Sequence, residues 1–383
     1  DDEAIRIGVT GEGDEGFNPR STSTATGIDT PLRDIPQSIQ VIPRAVIEDR
    51  NALELQDALE TATGVVSRGG RGTSVFGPGF LIRGFPTEES IFRDGIEAFS
   101  LAPLDTNDIE RIEILKGPAS VLFGQGDPGD IINLVSERPL SEPRYEVAAT
   151  VGNYSTYRGD LDLTGPLPGD DSARYRLNLT YSNFGSFRDF VDGERVLVSP
   201  ALSVDIGPNT ALDIYGQYAY NRETIDEGIP FTAAGPVDVP RSRFVGEDFG
   251  EFSQSQFSFG YRLNHDFNES LELRHAFQYL EYSPQRYAPL YGSFDETTGL
   301  VERTEYFAGG RYQRFFANAE VVGRFSTGSI QHQVLAGVEY RNTLEQPEFQ
   351  FSNDYPSINV FTPFYTALPS PMEPKFFRDN TIN

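Results

Sequence analysis

Cysteine is absent from this chain, which excludes disulfides, thiolate nucleophiles and cysteine–metal centres together. Tryptophan is absent too, methionine occurs once, and histidine three times. His265, His275 and His332 are scattered through strand-like sequence without ligand spacing, so no metal site is expected from them. No Ser/His/Asp order and no paired-carboxylate motif stands out among the many acids, so no enzyme chemistry and no cofactor is expected. No stretch reaches the ~18 consecutive apolar residues of a transmembrane helix. There is no signal peptide before Asp1-Asp2-Glu3, so an exported protein would be met here in mature form. Basic residues are few: Lys and Arg total 31 against 57 Asp and Glu, a net charge of −26. A surface that acidic repels phosphate backbones, and a nucleic-acid partner is not expected.

What the chain has in quantity is turn and ring. Gly (37) and Pro (26) suit a turn-rich protein, and Phe (29) with Tyr (18) favour strands. Two regions follow different patterns. Residues 1 to about 140 are mixed, the pattern of a small α+β domain. Ile5 to Thr10 is strand-like, a Gly/Ser/Thr-rich stretch runs to Thr30, and Ile39-Gln40-Val41-Ile42 is strand-like again. Asn51 is placed to cap a helix carrying Leu55, Ala58, Leu59 and Ala62 at helical spacing, with Gly64 to end it. Ile109-Glu110-Arg111-Ile112-Glu113-Ile114-Leu115 reads as a strand stopped by Gly117-Pro118.

From about Arg144 the chain alternates apolar and polar residues in long segments. Tyr145, Val147, Ala149 and Val151 share one face of the first. Leu161 and Leu163 face away from Arg158, Asp160 and Asp162 in the next, and Phe257, Phe259, Tyr261 and Leu263 continue the theme. Val334, Ala336, Val338 and Tyr340 close it. Short turns are expected at Pro168-Gly169-Asp170-Asp171, Gly207-Pro208-Asn209, Phe267-Asn268-Glu269 and Ser326-Thr327-Gly328, and long connections at about 223–250 and 283–310. Short turns at one end and long loops at the other describe an antiparallel outer-membrane barrel. A soluble β-sandwich alternates as well but needs neither such long strands nor such one-sided loops. Roughly nine strands fit after residue 144, an odd number whose open edge could not rest in lipid, so the barrel is expected to be partial here.

Ile109 to Gly124, ending in Lys116-Gly117-Pro118-Ala119-Ser120-Val121-Leu122-Phe123-Gly124, resembles the signature segment of TonB-dependent receptor plug domains. Asp34-Ile35-Pro36-Gln37-Ser38, Ile82-Arg83-Gly84-Phe85 and Asp94-Gly95 precede it as in that family, and Ile131-Ile132-Asn133 with Arg138-Pro139 follow it. Asp130 departs from the family, which commonly has another Gly there. Later sequence resembles, more loosely, the early barrel of ferric siderophore receptors of the hydroxamate (ferrichrome) type. The resemblance implies an α+β plug domain (31–140) and the N-terminal part of a transmembrane β-barrel (141–383) whose full form has about 22 strands around the plug. It implies that residues 1–30 are a flexible segment whose Ile5, Arg6, Ile7, Gly8, Val9 and Thr10 form a TonB box. An extended β-prone peptide there can add to the sheet edge of the partner TonB.

The function implied is import of a ferric siderophore across the outer membrane of a Gram-negative-type bacterium, with iron carried only inside the ligand. Receptors for cobalamin, haem or sugars are the near alternatives, and an outer-membrane enzyme a distant one. The plug signature positions are Arg83, Gly84, Asp94, Gly95, Glu110, Arg111, Glu113, Lys116, Gly117, Pro118, Gly124 and Asn133. By position in the family, Arg83 and Phe99 are expected to reach the ligand, and Phe231, Tyr287 and Tyr291 to contribute rings from the barrel loops. Charged Glu110, Arg111, Glu113 and Lys116 suit a strand in a wet lumen, where ion pairs with wall residues such as Asp162, Arg174 or Arg176 are individually weak. Gly124-Gln125-Gly126-Asp127-Pro128-Gly129 matches a dinucleotide-binding pattern but lacks the helix that would present amides to a pyrophosphate.

Overall fold

β-branched residues concentrate at Ile109, Ile112 and Ile114, and Ile109–Lys116 forms an inner strand of a five-stranded mixed sheet. The computed structural model describes residues 16–22, 24–27, 30–68, 79–86, 90–98, 105–117, 130–365 and 380–381. Described residues up to Glu137 form one compact unit and those from Arg138 a second.

In the first unit the sheet order is Ser38–Pro43, Ile109–Lys116, Asp130–Ser136, Ile91–Arg93, Ile96–Glu97. Only Asp130–Ser136 and Ile91–Arg93 run parallel; the other neighbours are antiparallel. Helices α1 (Arg44–Asp49) and α2 (Leu55–Leu59) bury Ile47, Leu55, Ala58 and Leu59 with Ile112, Ile114, Ile132 and Leu134 of the sheet. Phe92, Leu115 and Ile131 form a smaller cluster with Ala25 and Ile39. A second sheet of Val65–Arg68, Gly79–Ile82 and Phe85–Pro86 adds Phe80 and Ile82 to the main core.

The cap expected at Asn51 is not used. Glu54 holds the N-cap of α2, its N–H donating to Asp57 Oδ2 at 3.2 Å. Asn51, at φ 49°, instead ends α1, donating its N–H to Glu48 O at 2.9 Å. Asn tolerates the left-handed conformation, which suits the close of a helix as well as its start. Gly64, expected to end α2, comes after a further turn, at φ 78° on the entry to Val65–Arg68.

Two Gly-containing motifs are tight hairpins. Arg83 and Gly84 (φ 52° and 87°) join Ile82 to Phe85, and Asp94 and Gly95 (φ 52° and 83°) join Arg93 to Ile96. Positive φ at both central residues is the type I′ signature. A Cβ on Gly95 would meet nothing within 4 Å, so Gly95→Ala isolates the backbone cost. That variant is expected to lose about 1–2 kcal/mol of first-unit stability by hydrogen exchange. No loss would mean the turn relaxes freely.

The second unit is an antiparallel sheet in chain order. Its strands are β1 (Arg144–Gly152), β2 (Thr156–Leu167), β3 (Asp170–Gly185), β4 (Asp192–Asp205), β5 (Thr210–Thr224), β6 (Glu251–Asn268), β7 (Leu271–Asp295), β8 (Leu300–Thr327), β9 (Ile330–Asn359) and β10 (Asn380–Thr381). The last has two residues, so the described residues hold nine long strands. The four expected short turns all join neighbouring strands, and residues 225–250 connect β5 to β6 with a small hairpin, Phe231–Thr232 with Gly235–Pro236. The other expected loop, 283–310, is strand almost throughout. β7 runs 25 residues to Asp295, and β8 starts again at Leu300. Tyr287 pairs with Phe307, Ala288 with Tyr306 and Pro289 with Glu305, so the ladder continues through the stretch expected to be a loop. A bilayer needs only ~9–11 strand residues, so these strands project well beyond it.

The faces are inverted relative to a soluble sheet. On the inner strands Tyr181, Phe257 and Phe259 are 45%, 49% and 46% exposed, while Arg158, Asp162, Arg176, Asn178, Thr180, Gln256 and Ser258 are buried. Arg176 grips Asp162 with two hydrogen bonds of 2.9 and 2.7 Å, and Thr180 Oγ1 donates to Asp160 at 2.7 Å. Apolar-out and polar-in is the arrangement of a transmembrane barrel wall. No helix among the described residues is long and apolar enough to cross a membrane. On β7 the outward run Leu273, Phe277, Tyr279 ends at Glu281, which accepts from Arg311 Nη2 at 2.7 Å and Tyr279 Oη at 2.6 Å. This polar knot marks the outer limit of the apolar band.

Candidate functional site

The signature residues of the first unit are scaffold. Glu113 and Asn133 are register partners on adjacent strands, and both side chains are buried. Glu113, expected in a solvated strand, is 0% exposed. Its carboxylate accepts from Arg111 Nε at 2.7 Å and from Thr22 Oγ1 at 2.5 Å, which is how a charge is tolerated there. Arg111 also meets Glu110 at 3.1 Å. Asn133 Nδ2 donates to Thr24 Oγ1 at 2.8 Å, and its Oδ1 accepts from the Gly95 N–H at 2.9 Å. Asp94 Oδ1 accepts from the Ser136 N–H at 2.9 Å. Lys116 Nζ donates to Thr63 O at 2.8 Å and Gln40 Oε1 at 3.2 Å. Glu113 and Asn133 thus fasten the segment around Thr22 and Thr24 to the sheet.

Arg83 sits exposed at a hairpin tip, its N–H bonded to Gly64 O at 2.9 Å. Gly117 ends its strand at φ 123°. Phe99, Pro118, Gly124 and the segment Ile5 to Thr10 lie outside the described residues. In the second unit, Arg174 pairs with Asp205 at 2.9 Å, and Asp162 with Arg176 and Arg144.

Beyond the Glu281–Arg311 knot, β7, β8 and β9 carry a folded cap made with the 225–250 loop. Val245 of the loop packs with Val301, Ile358 and Val360, and Tyr291 and Phe294 join this cluster. Phe190, Phe244 and Tyr365 stack beside it, Tyr365 Oη donating to Phe244 O at 2.9 Å. The three aromatic candidates part company here. Phe231 is 74% exposed on the first strand of the loop hairpin, opposite Pro236. Tyr287 donates to Glu305 Oε1 at 2.8 Å, and burial together with that carboxylate raises its hydroxyl above the usual tyrosine range. Tyr291 is packed in the apolar cluster, and burial first, then the Asp226 and Glu227 carboxylates, push its hydroxyl up as well. Both phenols are donors at neutral pH.

The sequence reading missed the charges under the loop. Arg303 on β8 meets Glu247 at 2.8 Å with both side chains 0% exposed, and Arg303 Nε donates to Pro356 O at 2.8 Å. Arg286 on β7, 1% exposed, pairs with Glu227, and Arg188 pairs with Asp226 at 2.8 Å. The acid doublets Asp226-Glu227 and Glu247-Asp248 at the two ends of the loop were the available signal. Among the described residues no cluster of His, Asp or Glu is arranged to hold a metal ion.

Residues 31–130 match the TonB-dependent receptor plug domain family, and residues 200–381 match the TonB-dependent receptor-like β-barrel family. The metal-pseudopaline receptor CntO of Pseudomonas aeruginosa is 38% identical over 333 residues, covering 85% of this chain and 46% of that protein. The ferrichrome outer membrane transporter/phage receptor of Escherichia coli K12 is 26% identical over 382 residues, covering 91% and 51%. The closed-form crystal structure of the ferric-catecholate import receptor Fiu from E. coli superposes with a TM-score of 0.84 at 23% identity, covering 94% and 54%. The chain spans about half the length of the curated relatives it matches. These families are receptors and transporters rather than enzymes, built as outer-membrane β-barrels of Gram-negative bacteria. Plug and barrel matches fall in that order along the sequence, and the chain carries the plug domain and part of the β-barrel of a TonB-dependent outer-membrane receptor.

Proposed function

We propose that this chain is the ligand-recognising half of a receptor that binds a metal chelate outside the cell and passes it inward when TonB pulls on Ile5 to Thr10. The observation that carries this reading is a plug domain followed on one chain by barrel strands with an inverted, apolar-out face. Ferric siderophores are the proposed ligands, in line with the ferrichrome and ferrioxamine B relatives. The more similar CntO is named for metal-pseudopaline, which favours a second reading in which other chelated metals are carried. Arg83 and Phe99 of the plug and Phe231 of the outer hairpin are the proposed ligand contacts. Tyr287 and Tyr291 support the cap from within.

Calorimetric titration of the full-length receptor in detergent distinguishes the readings. A ferric hydroxamate, a ferric catecholate and metal-pseudopaline are the probes. Saturable binding of one class is the expected result, with uptake into cells lost on deletion of TonB. Binding by none, with uptake independent of TonB, would overturn the receptor reading.

A further inference from the structure

Three of the four acids in the doublets near the ends of the 225–250 loop meet an arginine from elsewhere in the barrel unit: Asp226 meets Arg188, Glu227 meets Arg286, and Glu247 meets Arg303. The pairs do not exhaust the arginines. Arg286 Nε and Nη1, Arg303 Nη2 and Tyr291 Oη are buried without a hydrogen-bond partner. Arg303 Nη1 lies 2.8 Å from Glu247 Oε1, yet its N–H bonds are not directed at an acceptor. The unmet guanidinium atoms are all donors, because a guanidinium offers five N–H bonds and no acceptor, and the Tyr291 hydroxyl can donate as well. What is short beneath the loop is oxygen acceptors. On a chain of net charge −26 that shortage is a local exception.

Planar carboxylates match the guanidinium fork with two parallel hydrogen bonds. Exchanging one carboxylate for another at the same arginine strands no buried charge, whereas simply pulling Glu247 away would. We propose that the Arg286–Glu227 and Arg303–Glu247 pairs are an exchangeable clamp, in which free carboxylates of an anionic metal chelate replace the loop's glutamates and release residues 225–250. The inference rests on the metal-chelate reading above and deepens it, by naming a ligand class and a moving part. A neutral chelate has no carboxylate to exchange and leaves the clamp shut. The loop's remaining hold is the Arg188–Asp226 pair and the apolar contacts of Val245.

The test uses the full-length receptor in detergent with two probes: ferric citrate, which keeps free carboxylates, and ferrichrome, which has none. Hydrogen exchange of residues 225–250 and calorimetric affinity are read together. Ferric citrate is expected to speed exchange in the loop, and ferrichrome to leave it unchanged. Glu247→Gln weakens the internal competitor, so it should speed exchange without ligand and tighten ferric citrate binding about tenfold. A pair with only a structural role predicts the opposite sign for affinity. The double variant R303M/E247M removes one pair of the clamp without stranding a charge. It should speed exchange at the Glu247 end of the loop while weakening ferric citrate at least about tenfold. Ferric citrate binding with loop exchange unchanged, or with both variants at wild-type affinity, overturns the clamp and spares the receptor reading. Tight binding of ferrichrome alone, with no response to ferric citrate, also overturns the clamp. Binding of neither probe, nor of any other chelate, sinks the receptor reading and the clamp with it.

Discussion

Replacing Glu113 by alanine is expected to destabilise the plug by about 3 kcal/mol and to release the segment around Thr22. The carboxylate is fully buried and holds two donors, Arg111 Nε at 2.7 Å and Thr22 Oγ1 at 2.5 Å. Truncation leaves the largely buried Arg111 without its main partner, and Glu110 at 3.1 Å, more exposed, compensates only in part. Breaking one side of a buried pair costs ~3–5 kcal/mol, and the residual Glu110 contact puts this case at the lower end. Glu113→Gln keeps a hydrogen-bonding oxygen and should cost about half as much. Hydrogen exchange separates the outcomes, because protection at residues 21–24 should fall before that of Ile109–Lys116. A Glu113→Ala protein that unfolds within 0.5 kcal/mol of the parent, a margin expected of ordinary surface changes, would sink the account.

The same latch bears on the proposed energy coupling. Ile5 to Thr10 precede Thr22 in sequence, so tension applied there reaches the Thr22–Glu113 and Thr24–Asn133 bonds before it reaches the strand hydrogen bonds of the sheet. Side-chain bonds met one at a time yield more readily than a ladder loaded all at once. Glu113→Gln and Asn133→Ala are therefore expected to lower the resistance to pulling without altering ligand affinity.

Strands with strict alternation were legible in the sequence because a period of two survives any tertiary context. Arg158 and Asp162 against Leu161 and Leu163, and the apolar run at Val334 to Tyr340, are correct to the residue face. The β7–β8 extension was not legible, since residues 283–310 read as a connection and only the pairing of the two strands with each other makes them a ladder. The role of Glu113 was misjudged for a different reason. A charge in an alternating strand reads as solvated until the partner that buries it is known, and while Arg111 is a neighbour on the same strand, Thr22 approaches from a distant segment with no local signature of that contact. The same holds for Arg303, whose partners Glu247 and Pro356 come from the 225–250 loop and from the far end of β9. Short-range pattern fixes which way a side chain points; long-range pairing decides whether it is buried.

Arginine placed at Val338 is expected to cost about 2–4 kcal/mol, and arginine at Ile330 no more than about 1. Both residues lie on the same face of β9 and both are well exposed, at 75% and 60%. They differ in depth. Ile330 opens the strand at the short turn with Thr327, while Val338 pairs with Ala319 further along the apolar band. In a soluble protein the two substitutions would be equally mild, because each puts a charge where water already is. In a bilayer, Ile330→Arg reaches headgroups and Val338→Arg does not. Reversible folding of the full-length receptor into phosphatidylcholine bilayers, followed by denaturant titration, measures the difference directly. Equal costs at the two positions would mean that the exposed face of β9 does not meet lipid, and the inverted pattern of the wall would then need another solvent to explain it.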